Sequence, residues 1–462
     1  MLCRNESEGT KMARETWRSP VGFMLAAAGS AVGLANIWRF PYIVGNNGGG
    51  VFVVLYLFCL LIIGVPVFIA EILIGRETQK SPSGAFKMLG KGAVWPFLGK
   101  VTIFTGFVVS SFYSAVAGWI LGYLVEAIKG NITIFTSGEQ AATHYQHLVS
   151  QPLWTLGYHL VFAGACTAIL VYGVKNGIER CSKVMMPMLF VLLIILVIRG
   201  ITLPNAGQGL QFLLTPDWSK ATPTVILTAL GQAFFTLSLG QGTMVTYGCY
   251  LRRDDNIIAN CAPVVLMDTL VSLFAAIAVM TIVFSAGLAP TSGPSLLFQT
   301  LPLIFSKMIG GFVFAGIFFL LVTLAAITSE ISAMEPVIAY LVVEKKWSRR
   351  AATLLCGSGV FIVGIPSALS FGVMQDWTLG GATFFDWVSS FCTNLMIPLG
   401  GFFAVVLVGW VWGTSNAIKG LRKGAAQLFA RGPWLDKYFS FCFKYAAPIL
   451  IIFVFLHKIG IL

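Results

Sequence analysis

Charge is scarce in this chain. Only 10% of its 462 residues are Asp, Glu, Lys or Arg, while 57% are hydrophobic and mean hydropathy stands at +0.85. So few polar groups cannot cover the surface of a soluble domain of this length, which excludes a soluble fold. Histidine is rarer still, with four scattered residues, and neither CxxC nor HxxxH occurs, so a metal centre of soft ligands has no support. The nine cysteines fall mostly inside apolar stretches, without a pair in the outer connections, and read as small hydrophobes. No nucleophile, base and orienting group share a motif, which argues against an enzyme. Residues 1–13 are polar, lack an apolar signal region and read as a disordered N-terminal extension, with a second methionine at Met12.

What the chain has in abundance is hydrophobic length. Breaks at charged and Pro/Gly-rich positions leave eleven apolar stretches, roughly 17–43, 49–74, 98–128, 153–173, 184–203, 221–250, 257–287, 309–343, 347–371, 382–413 and 436–460. Each is long enough to cross a bilayer, and those well beyond ~20 residues imply tilt or extension. With a cytoplasmic N-terminus, 24 of the 30 basic residues fall in inside segments, five outside and one, Arg39, in a helix. That asymmetry follows the positive-inside rule, so the excess of +12 marks topology in a cell inner membrane rather than a nucleic-acid partner. The expected class is an all-α, multi-pass membrane protein in contact with the lipid bilayer.

Two of the hydrophobic segments are interrupted near their middles by glycine-rich runs, Gly29 to Asn36 in the first and Ser238 to Gly242 in the sixth. Irregular backbone survives at membrane depth only where protein buries it or a cavity lines it, so paired breaks point to a midplane binding site. Free carbonyls at a break suit Na⁺, and free N–H groups at a helix N-terminus suit a carboxylate. Asn36, Thr236 and Ser238 add side-chain oxygens beside them. Five helices per half invert the second half relative to the first. The expected organisation is residues 14–203 as one repeat, 204–413 as the other, and 414–462 as a cytoplasmic loop and an eleventh helix.

The run Ala31-Val32-Gly33-Leu34-Ala35-Asn36-Ile37-Trp38-Arg39-Phe40-Pro41, with Trp17, Gly22, Gly29 and Asn47-Gly48-Gly49-Gly50 around it, and Gly231-Gln232-Ala233-Phe234-Phe235-Thr236-Leu237-Ser238-Leu239-Gly240 further on, resembles the neurotransmitter:sodium symporter family. The resemblance covers residues 14 to about 410, and the length resembles the short bacterial amino-acid carriers of that family. It implies a LeuT-like 5+5 inverted repeat with broken helices 1 and 6 and one extra helix. It further implies two Na⁺ ions. The first would be held by the Ala31 carbonyl, Asn36, Thr236 and Asp268, where the family commonly has Asn. The second would be held by carbonyls of Gly29, Val32 and Ala325 with the hydroxyls of Thr328 and Ser329. The substrate carboxylate would meet the Leu34 and Ala35 backbone and the Tyr113 hydroxyl, with Ala31 nearby, and the amine would meet Phe235, Thr236 and Ser238. Val109, Phe235, Ser238, Gln241, Ser329 and Ala333 would line a pocket whose room at Ala333 and amide at Gln241 suit an aromatic side chain, tyrosine above others. Tryptophan, or branched aliphatic amino acids, stay open.

Chloride-dependent relatives place the anion at positions matching Tyr56, Gln232, Thr236 and Ser272. The fixed negative charge of Asp268 there predicts chloride independence, and a proton taken up by Asp268 is a further option. The family's outer gate maps to Arg39 and Asp386 above Tyr113 and Phe235. Its inner latch maps to Arg14 and Trp17, near Tyr250 and Glu335; the acidic latch partner falls on Val343, with Glu344 next to it. Gly177 and Pro187, nine residues apart, match a pattern tied to unwinding of helix 5. Glu71 and Glu330 have no derived role and are expected to pair with interior polar groups. The functional expectation is a sodium-coupled amino-acid symporter working by alternating access, with a ligand-gated channel or non-transporting sensor as the rival and the oligomeric state left open.

Overall fold

In hydrocarbon a backbone must satisfy itself, and nearly the whole chain does so by winding into helices. The computed structural model describes residues 15–287 and 296–460; Arg14 and the extension 1–13 lie outside the described residues. Nine helices are long and apolar enough to cross a membrane among the described residues. They are helix 2 (Gly50–Thr78), helix 3 (Val94–Lys129), helix 4 (Pro152–Val171), helix 5 (Val174–Ile201), helix 7 (Ile257–Ser285), helix 8 (Gly311–Glu344), helix 9 (Arg349–Leu369), helix 10 (Phe384–Val411) and helix 11 (Trp434–His457). A tenth span is the bent pair 1a (Pro20–Ala31) and 1b (Ala35–Asn46), which meet at 52°. The sixth apolar stretch is split into 6a (Pro223–Thr236) and 6b (Thr243–Cys249), neither long enough to cross alone.

Local chemistry sets the helix starts. Ser19, Thr222, Asn256, Ser348 and Thr383 each accept a backbone N–H from the first turn of helices 1a, 6a, 7, 9 and 10, and Pro20 and Pro223 occupy first helical positions. The first break is narrower than the glycine pattern suggests. Gly29, Ser30 and Ala31 finish helix 1a, only Val32 to Leu34 leave it, and Ala35 to Arg39 resume as a π turn. In the second break Ser238, Gly240 and Gly242 all take positive φ, which glycine allows at no steric cost and Ser238 does not. Helix 5 is wound from Val174, with Gly177 inside a π turn and Pro187 inside the helix, so the unwinding tied to that pair is not seen here.

The packing has the symmetry of an inverted repeat. Helix 2 packs on helix 6 as helix 7 packs on helix 1; 3 on 9 as 8 on 4; 5 on 8 as 10 on 3; 5 on 7 as 10 on 2. Helices 3 and 8, and 4 and 9, pack on each other. Adding five to each number maps this set onto itself, as a two-fold axis relating helices 1–5 to 6–10 demands.

Close approach depends on glycine at particular crossings. A methyl placed on Gly75 of helix 2 would stand 1.9 Å from the Val245 carbonyl oxygen, and one on Gly248 would stand 2.3 Å from that of Ile72. These neighbours are backbone and cannot turn aside. Gly75→Ala or Gly248→Ala is expected to destabilise by about 1–3 kcal/mol through overpacking, read as a lower melting temperature of the purified protein. An unchanged melting temperature in both would contradict this packing.

Candidate functional site

The two breaks lie against each other, and side chains from helices 2, 7 and 8 complete them. Asn36 Oδ1 accepts the Gly33 N–H at 3.0 Å, stapling the first break. Its Nδ2 donates to Asp268 Oδ1 at 2.7 Å, Ser272 Oγ at 2.8 Å and Thr236 Oγ1 at 3.1 Å. The Thr236 hydroxyl donates to Asp268 Oδ2 at 2.9 Å. All four side chains are buried. Asn36, Thr236 and Asp268, expected at the first ion site, are thus brought together, and among the described residues no hydrogen bond joins the Ala31 carbonyl to them. The Tyr56 hydroxyl lies beside Thr236 and Ser272. It and both amide atoms of Gln232 are buried without hydrogen-bond partners.

A second convergence joins helix 1a to helix 8. Ser329 Oγ lies 3.4, 3.2 and 3.1 Å from the carbonyl oxygens of Gly29, Ser30 and Val32. The Thr328 hydroxyl donates to the Ala325 carbonyl at 3.0 Å and to that of Leu324 at 3.2 Å. A methyl on Gly29 would come within 3.1 Å of Thr328 Cβ, so the two helices meet here. Ser238 Oγ donates to the Ser30 carbonyl at 2.8 Å, binding the two breaks together and compensating its own left-handed backbone. Glu71 gains a role the sequence did not give it: its Oε1 accepts the Gly240 N–H at 2.8 Å in the second break.

Between the breaks and helices 3, 8 and 10 lies a cavity of about 340 Å³. Ala31, Leu34, Ala35, Val109, Tyr113, Phe235, Ser238, Gln241, Ser329 and Ala333 line it as the pocket assignment expected. Thr236 does not; it faces the Asn36–Asp268 cluster instead, because the helix turn that exposes Phe235 to the cavity points its neighbour away. Trp38, Phe112, Phe385, Thr393 and Glu330 line the cavity without having been singled out for it. The Leu34 N–H points at the Tyr113 hydroxyl at 3.5 Å.

The two ends of the cavity differ. Arg39 and Asp386 both line its mouth, yet the expected ion pair is not formed among the described residues. The Arg39 guanidinium instead sits over the Phe235 ring, 4.4 Å from its centroid, and Asp386 accepts from the Thr383 hydroxyl at 2.8 Å. The opposite end is sealed. Trp17 is buried edge-on against Phe23, Tyr247 and Tyr250, and its indole N–H donates to the Tyr247 carbonyl at 3.0 Å. The Tyr250 hydroxyl donates to Glu335 Oε1 at 2.6 Å, and Arg349 grips the same carboxylate with two bonds of 2.7 and 2.6 Å. Sequence reasoning missed Arg349, counting it only as a topology charge. The signal was a buried acid near a span end with a basic cluster 10 to 15 residues on. Glu344 accepts from the Ser81 hydroxyl at 3.1 Å.

Comparison with known proteins now decides the family. The model of the sodium:neurotransmitter symporter family matches residues 14–144 and 148–461. The chain belongs to that family. It is 38% identical over 446 residues to an uncharacterised sodium-dependent transporter of Bacillus subtilis, YhdH, covering 96% of this chain and 98% of that one. It is 26% identical to the human sodium- and chloride-dependent creatine transporter 1, over 96% of this chain and 77% of that one. The crystal structure of MhsT in complex with L-phenylalanine superposes with a TM-score of 0.87 at 40% identity, over 96% and 100% of the two chains. The fold is LeuT-like, and the protein is a multi-pass, sodium-dependent membrane transporter.

Breaking a buried ion pair by removing one partner costs about 3–5 kcal/mol, because the other charge is stranded. Arg349→Ala should therefore lower both melting temperature and transport far more than Arg349→Ala combined with Glu335→Gln, which removes the stranded charge. Equal losses in the two variants would rule out the pair as the seal.

Proposed function

We propose that this transporter couples the inward flow of two Na⁺ ions to uptake of aromatic amino acids, tyrosine foremost, by alternating access and without chloride. The observation that carries the reading is the cavity itself. It is walled by Tyr113, Phe235 and Phe112, floored by the two breaks, and carries at one side the Gln241 Oε1, buried without a hydrogen-bond partner. An unmet carbonyl oxygen in an apolar pocket rewards a ligand that brings a hydroxyl or N–H and penalises one that does not. Its volume falls in the range of about 300–1,000 Å³ usual for small-ligand sites. The superposed relative binds phenylalanine, a ligand of the same class.

The donor sets suit sodium. Asp268, Thr236 and the nearby carbonyls are hard oxygen ligands, as are Thr328, Ser329 and the carbonyls of Gly29, Val32 and Ala325. A carboxylate as deeply buried as Asp268, with only neutral donors around it, gains most from a bound cation. Asn36 presents its amide nitrogen to Asp268 in this arrangement, so joining the ion shell requires the amide to turn its oxygen inward. Sodium bound there would complete the substrate site by meeting the carboxylate held by the Leu34 and Ala35 backbone and Tyr113. Closure of Arg39 and Asp386 over Phe235, followed by release of Trp17, Tyr250 and Glu335, would expose the cavity to the other side. A cytoplasmic N-terminus, in an inner membrane, puts the sealed end inside.

Three measurements test this. In competition binding to the purified protein in sodium, tyrosine should displace labelled ligand at lower concentration than leucine; leucine winning would sink the aromatic reading. Replacing chloride by gluconate should leave transport unchanged, because Asp268 already supplies the negative charge, and a several-fold loss would contradict chloride independence. Asp268→Asn should weaken sodium dependence and make chloride stimulatory, since Tyr56 and Gln232 would then face an anion without like-charge repulsion.

A further inference from the structure

Glu330 is the one acidic residue in the core of the bundle whose partners are not in the protein among the described residues. Of the interior polar groups it was expected to pair with, the Ser110 hydroxyl is the one beside it. It sits on helix 8 one residue beyond Ser329, is fully buried and lines the cavity, and neither carboxyl oxygen has a hydrogen-bond partner or an ion pair. The Ser110 hydroxyl on helix 3, which has no other partner, stands close enough to interact with it, and a single hydroxyl can meet only one of its two oxygens. Gln241 Oε1 is likewise unmet in the same cavity. The contrast with the other buried acids is sharp: Glu71 holds Gly240, Asp268 holds Asn36 and Thr236, and Glu335 holds Arg349. Buried polar groups are nearly always satisfied, and an exception that faces a ligand cavity is completed by the ligand. Arg39, the cavity's cation, stands at the mouth and is engaged with Phe235.

We propose that Glu330 is a specificity-determining residue whose carboxyl group presents an acceptor oxygen to the substrate's ring, so that the cavity selects aromatic amino acids bearing an N–H or O–H donor, tryptophan and tyrosine, over phenylalanine. The inference rests on the aromatic reading above and adds the group that discriminates within the class. Gln241 Oε1 is the other unmet acceptor in the cavity, so a ring that brings no donor leaves both groups unmet.

The test compares tryptophan with 3-benzothienylalanine, which keeps the shape but replaces the indole N–H by sulfur, in competition binding to the purified full chain. The wild type should prefer tryptophan by roughly tenfold, the value of one well-placed hydrogen bond in an apolar cavity. In Glu330→Leu that preference should fall toward unity while the benzothienyl ligand still binds. Glu330→Met, which keeps the length of the side chain but removes both oxygens, should do the same and serves should the leucine variant fail to fold. A preference that persists in the variants overturns the inference, as does an equal loss of both ligands, which would mark a structural role. If the wild type binds no aromatic amino acid at all, the underlying reading falls and takes this inference with it; if it binds them without telling the two ligands apart, the inference alone fails.

Discussion

The structure depends on how backbone polar groups are satisfied where helices 1 and 6 stop in the middle of the bundle. A break at membrane depth strands N–H and C=O groups that water cannot reach, and each must find a partner in the protein or in a ligand. The chain supplies those partners from buried side chains on neighbouring helices. Asn36 takes the Gly33 N–H, Glu71 takes the Gly240 N–H, and Ser238 and Ser329 both donate to the Ser30 carbonyl. The polar residues that look out of place in so apolar a chain are therefore what permits the breaks, and the breaks are what permits a site. The carbonyls of Gly29 and Val32, converging with Thr328 and Ser329, and the Asp268 cluster then follow from the same geometry.

Alternation needs two closures of comparable strength that are not made at once, and the two ends differ in that way. At one, a buried carboxylate is gripped by a bidentate guanidinium and a tyrosine hydroxyl, with an indole packed over them. At the other, a guanidinium rests on an aromatic ring and its acidic counterpart is held by its own helix cap. A desolvated, charge-assisted pair is much the stronger device, so the arrangement stores its closure at the Trp17 end. A ligand and ions held at the breaks, as proposed, would touch helices 1, 6, 7 and 8 together, which is where a shift in favour of the opposite closure would originate.

Much of this was legible in the residues. Glycine-rich breaks inside hydrophobic runs, and the motif around Asn36 and Arg39, carried the architecture, because irregular backbone in a membrane has few meanings. The lateral pairings were not legible. Arg349 lies 14 positions from Glu335 across a helix turnaround, and no spacing rule links them. Arg39 and Asp386 were read as an outer gate, and a gate has two states between which the sequence does not choose. Thr236 was assigned both to the substrate amine and to an ion site; its side chain turns to Asn36 and Asp268 rather than to the cavity. The extent of the first break, three residues rather than eight, is decided by how far helix 1a can keep bonding before Val32, which glycine content overstates. Glu330 had no derived role and was expected to pair with interior polar groups, and how little of that pairing the bundle supplies is its informative property.

The central claim, that the converged breaks couple a sodium gradient to movement of an aromatic amino acid, is tested most directly by uptake of radiolabelled tyrosine into proteoliposomes. With an inward sodium gradient, tyrosine should accumulate inside above its external concentration, and the accumulated label should leak away once a sodium ionophore collapses the gradient. Entry that stops at equal concentrations, or that proceeds identically without sodium, would contradict the account.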